Sequence, residues 1–581
     1  MADGPSPAPA PMRNTEHKLS VARGEHPAEL LFKNAQLVNV FSGEIHPADV
    51  AVDDGRIVGI GEYDAREIVD LNGAYLAPGL IDGHFHVEST MVTVPEIARA
   101  VVPHGTSAMV IDPHEFTNVL GKEGIDYVLA ASKGLPIDFF IMLPSCIPAT
   151  HLETSGARLH AADLAEMIDN ERIAGVAELM NYPGVFLGME SELAKIRAGK
   201  GKLIDGHAPG LRGRNLNAYA LAGVRSDHES TEVDEAREKL RLGMHLLVRE
   251  GSTERNLEHI ISLVTPQNAS NCSFATDDKL PGDLMSEGHI DHSIRKAISL
   301  GVPPVTAIQM GSINTARHYR LRNHGAIAPR YWADFLVLDD LEKFVVRRVY
   351  KKGKLVAEDG DYRGPEAAAV KQPRNTMNIR FGGAEDVAMP ADGAKRIKVI
   401  DIVPEQIVTN AVTLPAKIEG GQVVSDPAND VLKLVVIERH NATGNVGVGF
   451  VRGFQLKRGA LGSTVAHDAH NVVVVGVSDK DIVAAVATLQ KMGGGQVAVE
   501  DGDQLAALPL PIAGLVSDRP LREVVDKIES LKRAAAQLGC SLPAPFMSLS
   551  FLSLSPIPAL KLTDQGLVDA VNMKLTSLFA D

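Results

Sequence analysis

The chain has 581 residues, 45% of them hydrophobic, enough to bury a large core and too long for one ordinary domain. A formal net charge of -15, with no block of Lys or Arg to offset it locally, argues against nucleic acid or an anionic membrane as a partner. Three scattered cysteines (Cys146, Cys272 and Cys540) argue against a disulfide framework and fit a reducing, cytoplasmic compartment, and no apolar run reaches the ~18 residues of a membrane span.

Residues 1–28 open with the Pro/Ala-rich MADGPSPAPAPMRNTEHK and are expected to form a disordered lead-in. Residues 29–78 alternate short strand-like runs with turn signals, including Asp54-Gly55, and a similar pattern returns in 327–375 with a turn at Lys352-Gly353. Together the two stretches predict one β-sandwich interrupted by an insertion. The inserted residues, 79–326, have a different rhythm. Eight short apolar runs (GLIDGHFH, TSAMVID, DFFIMLPSC, IAGVAELM, KLIDGHAPG, GVRSDHES, HLLVREGS and CSFATDD) alternate with helix-length amphipathic stretches. Among the latter, AADLAEMIDN carries Asp163 as an early cap, and TEVDEAREKLRLG runs from acidic to basic as the helix dipole favours. Eight strand–helix repeats over this length predict an α/β fold, a (β/α)8 barrel, whose chemistry belongs at the C-terminal strand ends. Residues 376–581 change pattern again, with strands such as VLKLVVIERH and NVVVVGV followed by helices, which predicts a C-terminal α+β domain. The MGGGQ at 492–496 lacks the Lys-Ser/Thr of a phosphate loop and is expected to be a helix stop.

The strand ends carry the candidate site. His84 and His86 leave the first strand two residues apart, so both side chains take the same face and point to the barrel axis. Alone the pair is equally well explained as hydrogen-bonded polar residues at a strand end. The fourth strand, however, ends in Glu178, the fifth in His207, the sixth in His228 and the eighth in Asp277. A barrel gathers these ends at one mouth, where imidazoles and carboxylates suit Mn, Fe or Zn, and two cations need the negative charge of Glu178 and Asp277.

This pattern resembles the amidohydrolase superfamily. The stretches PGLIDGHFHVEST, VIDPHEFTNV, LPSCIPATHLETSGA, GVAELMNYPGV, DGHAPGL, ATDDK and RGFQLKRGALGSTVAHDAHN are similar, from about residue 29 onward, to the bacterial adenine deaminase family within it. The resemblance implies a binuclear divalent centre of Mn, Fe or Zn, with Mn or Fe favoured, held by His84, His86, Glu178, His207, His228 and Asp277. It implies adenine as the substrate, water as the second reactant and a role in purine salvage; a homo-oligomer, a dimer, is expected.

Asp277 is the candidate to take the proton of the attacking water, and Glu88 or His114 to protonate the ring. Glu88, Asp112, His114 and Glu115 are the candidate substrate contacts, Glu88 by alternation if the first strand continues past His86. Ser89 and Thr90 are expected to be caps, and Asp278 to point away from the site, toward the helices, unless the strand has already turned. The cluster His467, Asp468, His470 and Asn471 lies at a strand junction and divides evenly between an inter-domain role at the mouth and a structural one. Trp332 and the nearby Arg317, Arg320 and Arg322 are expected to provide packing and a solvated helix end. Two rivals remain: another amidohydrolase reaction, such as cyclic amide or N-acetyl hydrolysis, and a non-catalytic relative that keeps the barrel as a scaffold.

Overall fold

The computed structural model describes residues 15–404 and 406–580. Eight parallel strands, Leu80–Phe85, Thr106–Ile111, Asp138–Leu143, Ile173–Leu179, Leu203–Gly206, Ser226–Asp227, His245–Arg249 and Cys272–Ala275, alternate with helices as the sequence rhythm predicts. The first five pair in order in one ladder and the last three in another. The two ladders meet at two seams. Arg225 N donates to Ile204 O at 3.0 Å between strands five and six, and a parallel bridge joins Phe85 to Asp277 between strands one and eight. The barrel interior is packed with Ile81, Ala108, Val110, Met142, Ala177, Leu247 and Ala275, so the polar side chains collect only at its ends.

The expected sandwich is one nine-stranded sheet built from both flanks of the barrel. Tyr75–Pro78, just before the barrel, pairs antiparallel with Phe335–Leu338, just after it. The sheet curls so that both ends share one core, where Phe32 meets Phe335 and Tyr350 edge-on at centroid distances of 5.0 and 4.8 Å. Trp332 lies at the rim under Arg56, whose guanidinium carbon sits 3.2 Å from the ring centroid, so its surroundings are cationic as well as apolar. Arg320 bonds the Gly201 carbonyl at 3.2 Å.

Part of the expected lead-in is helical. Residues 1–14 lie outside the described residues, but Thr15–Ala22 is a helix, anchored where Val21 is buried with Ala28, Leu31, Ala51 and Val58 and where Lys18 pairs with Asp54 at 2.8 Å. An apolar anchor and short ion pairs hold the helix there, and neither makes a periodic pattern.

The C-terminal part centres on an eight-stranded sheet with helices Asp479–Met492 and Leu521–Gln537 packed on it. Ser478 caps the first of these helices, and Gly493, at φ 79°, stops it, as MGGGQ predicts. Asp163 also caps, though from inside its helix: its carboxylate accepts the His160 N–H at 2.8 Å.

Candidate metal centre at the barrel mouth

All six side chains predicted at the strand ends converge. His84, His86, Glu178, His228 and Asp277 are buried and His207 is partly so. Their donor atoms fall into overlapping triads, His84–His86–Glu178, His84–His228–Asp277 and Glu178–His207–His228, each within 4.8 Å. Glu178 divides between two sets of imidazoles. Its Oε1 is 3.4 Å from His86 Nε2, while its Oε2 is 2.6 Å from His207 Nδ1 and 3.3 Å from His228 Nε2. Asp277 Oδ1 lies 3.6 Å from His84 Nε2 and 3.3 Å from His86 Nε2.

The fit to metal can be tested on these atoms. The Nε2 atoms of His84 and His86 face each other at 3.2 Å, close enough for both to ligate one cation. His86 Nδ1 lies 3.2 Å from the Asp112 carbonyl, which fixes its proton there and leaves the Nε2 lone pair aimed inward, as in a ligating histidine. His228 stacks on His84 at 4.1 Å, with neither of its ring nitrogens in a hydrogen bond. The carboxylates of Glu178, Asp277, Glu229 and Glu115 crowd this space, and Arg249 is the fixed cation among them. Burial and the neighbouring imidazoles push His84 down to about 3, so it is neutral and able to ligate. Burial lowers His86 too, but the Glu115 charge and the Asp277 and Glu178 carboxylates outweigh it and hold His86 well above its ordinary value. Such a site demands positive charge; oxygen and imidazole donors without a thiolate fit divalent cations of the Mn, Fe and Zn group.

Four further predicted residues border the cluster. Glu88 reaches it by a route that strand alternation does not describe: the strand ends at Phe85, and the 3-10 turn Val87–Thr90 carries Glu88 to where its Oε1 accepts the Phe116 N–H at 2.8 Å. Its Oε2 has no partner, and burial pushes the carboxyl up to about 7. Asp112 is fully buried with both oxygens free of hydrogen bonds, and His114 Nδ1 lies 3.5 Å from it. Glu115 places Oε2 3.7 Å from His86 Nδ1 and Oε1 3.6 Å from His467 Nδ1. His467 therefore brings the C-terminal part to the mouth, the inter-domain one of its two expected roles.

Two expectations change, and two site residues were not anticipated. Asp278 does not point to the helices: strand eight stops at Ala275, Asp277 takes a left-handed φ of 57°, and Asp278 accepts a hydrogen bond from Ser89 across the strand-one seam. Ser89 and Thr90 are not caps, since His86 occupies the N-cap position and Thr90 Oγ1 bonds back to Val87 O at 2.7 Å. Arg249 and Glu229 escaped the sequence reading. Arg249 Nη1 donates to Asp277 Oδ2 at 2.6 Å and also to Glu229, so strand seven contributes as well. The signal was present, since Arg249 ends its strand as the other site residues end theirs.

A barrel with histidines and carboxylates meeting at its C-terminal mouth, joined to a sheet made from both its flanks, defines an amidohydrolase. Residues 75–356 match the amidohydrolase family. Residues 406–574 match the adenine deaminase C-terminal domain. An adenine deaminase of Dehalococcoides mccartyi strain 195 is 49% identical over 97% of this chain and 99% of its own length. Adenine deaminase 2 of Carboxydothermus hydrogenoformans is 50% identical over 96% and 98%, and an adenine deaminase of Methanothrix thermoacetophila 46% identical over 97% and 100%. The chain belongs to the adenine deaminase family.

Proposed function

We propose that this chain hydrolyses adenine to hypoxanthine and ammonia, using a pair of divalent cations. His84, His86, Glu178 and Asp277 would hold one ion, and Glu178, His207 and His228 the other. The observation that carries the reading is the division of Glu178, one oxygen toward each imidazole set, in a chain similar over nearly its whole length to proteins named adenine deaminase. When bound, the cations acidify a water so that a nucleophile exists near neutral pH.

The protein's own groups handle positioning and protons. Water adds its oxygen to C6 of the purine. Asp277 takes a water proton through Oδ1, its Oδ2 being engaged by Arg249, and passes it to the departing amino group. Glu88, with Oε2 free, supplies the proton that the adjacent ring nitrogen gains as C6 becomes tetrahedral, and His114 is the alternate donor. Breaking the C6–N bond then releases ammonia; the ring nitrogen keeps its proton, as in hypoxanthine, and the second water proton, left on the C6 hydroxyl, returns to Glu88 as the carbonyl forms. Asp112, His114 and Glu115 contact the base. Mn or Fe is the proposed metal, purine salvage the role, the cytoplasm the location and a homodimer the assembly. Among the described residues no helix is long and apolar enough to cross a membrane.

Ammonia release from adenine, adenosine, guanine and cytosine, with metal content measured on the same sample, tests the reading. Adenine alone should turn over rapidly, with two ions per chain. Comparable rates on adenosine would overturn the substrate, and a metal-free inactive protein would favour the scaffold.

A further inference from the structure

Strands four and five carry Glu178 and His207, and their ladder is broken where the two side chains emerge. Val176 pairs with Ile204 and Leu179 with Gly206, so Ala177 and Glu178 on strand four face the single Asp205 on strand five. The extra residue makes a bulge, which redirects the side chain it carries and takes backbone groups out of the ladder. Two hydroxyls supply the missing partners. Just past the end of strand three, Ser145 Oγ donates to Glu178 O at 2.7 Å. Tyr219, fully buried on helix Gly213–Leu221, donates through Oη to Leu179 O at 3.0 Å and accepts the His207 N–H at 3.2 Å.

The phenol oxygen therefore stands between the two strand ends as a one-atom spacer, fixing both the residue after Glu178 and the backbone of His207. Gly206 makes room for it, since a Cβ there would come 3.1 Å from Tyr219 Oη and closer still to Ser226 O. The two ligands do not depend on it equally. Glu178 keeps a second anchor in Ser145, whereas the His207 N–H is held by Tyr219. His207 is also the one partly exposed member of the six, so packing holds its ring less firmly, and its Nδ1 lies 2.6 Å from Glu178 Oε2.

Resting on the two-cation reading above, we propose that Tyr219 is a positioning residue for the second metal. Its hydroxyl sets where His207 stands relative to Glu178, and so governs the ion of the Glu178–His207–His228 set while leaving that of His84, His86 and Asp277 alone. It acts through His207 and not on the substrate. A hydroxyl that only satisfied two buried backbone groups would, when lost, lower stability without distinguishing the ions.

The test equilibrates the full-length protein with graded Mn(II) and reads bound metal together with the electron paramagnetic resonance signal of coupled ion pairs. The wild type should take up two ions. Tyr219→Phe, which deletes one oxygen and keeps the ring, should bind one ion within about threefold of the wild-type affinity and the other at least about tenfold more weakly. The coupled signal should then appear only at higher Mn(II), and kcat for adenine should recover as that site fills, with KM unchanged. In a His207→Ala background, where only the other ion remains, adding Tyr219→Phe should change its affinity by no more than about threefold. Replacement of Tyr219 by 4-aminophenylalanine, which donates to Leu179 O but accepts the His207 N–H poorly, should weaken the same ion, and it carries the test should Tyr219→Phe not fold. Equal weakening of both ions, a further loss in the His207→Ala background, or wild-type binding of both ions in either Tyr219 variant overturns the assignment. A wild-type protein that binds fewer than two ions would instead sink the two-cation reading itself.

Discussion

Asp227 and His228 are neighbours in the chain, and they enter two different kinds of buried polar cluster. Asp227 turns outward to Lys239 on helix Val233–Arg241, where Lys239 Nζ donates to Asp227 Oδ2 at 2.7 Å, Glu235 Oε1 at 2.6 Å, Ala208 O at 2.9 Å and Ser230 Oγ at 3.2 Å. Asp227 Oδ1 in turn accepts the Ala208 N–H at 3.0 Å. Each of these side chains has partners within the protein. His228 turns inward, and there both of its ring nitrogens, both oxygens of Asp112, both nitrogens of His114, Glu88 Oε2 and Glu115 Oε2 lack hydrogen bonds. Both clusters contain carboxylates, and burial is alike. Closed networks of this kind support a fold, whereas unpaired buried groups are tolerated where a ligand completes them. The outer cluster also serves the inner one, because it ties the loop after His207 to the strand that carries His228.

Substitutions should sort by cluster: those in the open one cost turnover, and those in the closed one cost stability. The largest effect belongs to Glu178→Gln. An amide cannot neutralise two cations, so kcat/KM for adenine should fall by at least about 10³-fold and bound metal should drop below two per chain, with the circular dichroism spectrum unchanged. A folded variant with full metal content and normal rate would remove Glu178 from the site.

Lys239→Met should do the reverse. It leaves Asp227 and Glu235 as buried, uncompensated carboxylates, and the expected loss is about 3–5 kcal/mol of stability in a denaturant titration. Asp227→Asn and Glu235→Gln added to it should recover much of that loss, because the charges themselves are then gone. The pH dependence has a definite sign. Burial alone would raise the Asp227 carboxyl, but Lys239 outweighs burial and holds it below its ordinary value. Its contribution is therefore full above the unfolded value of about 3.9 and is lost as pH falls through the lower folded value. Lys239→Met should abolish that part of the acid limb.

Asp277→Asn comes next. It keeps an oxygen toward His84 and His86 but removes the charge that Arg249 and the cations share, so metal should be partly retained while kcat falls at least about 10²-fold. A rate within a few fold of the wild type would show that another group moves the proton.

How much of this was legible follows from the same comparison. The ligand set of the open cluster could be read because each of those six residues lies at a strand end, and period-two alternation with eight repeats fixes where strand ends go. His84, His86, Glu178, His207, His228 and Asp277 all follow that rule. The closed cluster could not. Lys239 sits at the basic end of an amphipathic helix and looks like a dipole partner, and only the packing of that helix on strand six shows it buried with two carboxylates. Arg249 had the right position but the wrong charge for a ligand search, and its function depends on which side chain of strand eight faces it. Glu88 was named for the right pocket by an alternation that stops at Phe85.

Asp278→Asn should have the smallest effect, and for a different reason than strand alternation offers. Alternation would send Asp278 to the helices, yet the strand ends at Ala275 and the left-handed turn at Asp277 keeps Asp278 at the mouth, bonded to Ser89. Ser89 belongs to the same 3-10 turn as Glu88, so this hydrogen bond pins that turn to strand eight beside the Phe85–Asp277 bridge. It is not a contact to the reacting atoms. Losing it should relax Glu88 without removing it, and a single hydrogen bond at a half-buried site predicts a decline in kcat/KM of no more than about tenfold. Ser89→Ala breaks the same bond from the other side. The two substitutions together should therefore cost little more than either alone, the pattern of a shared interaction in a double-mutant cycle. If the losses instead multiply, or if Asp278→Asn proves more damaging than Asp277→Asn, then Asp278 acts on the substrate directly and the assignment of proton transfer to Asp277 fails.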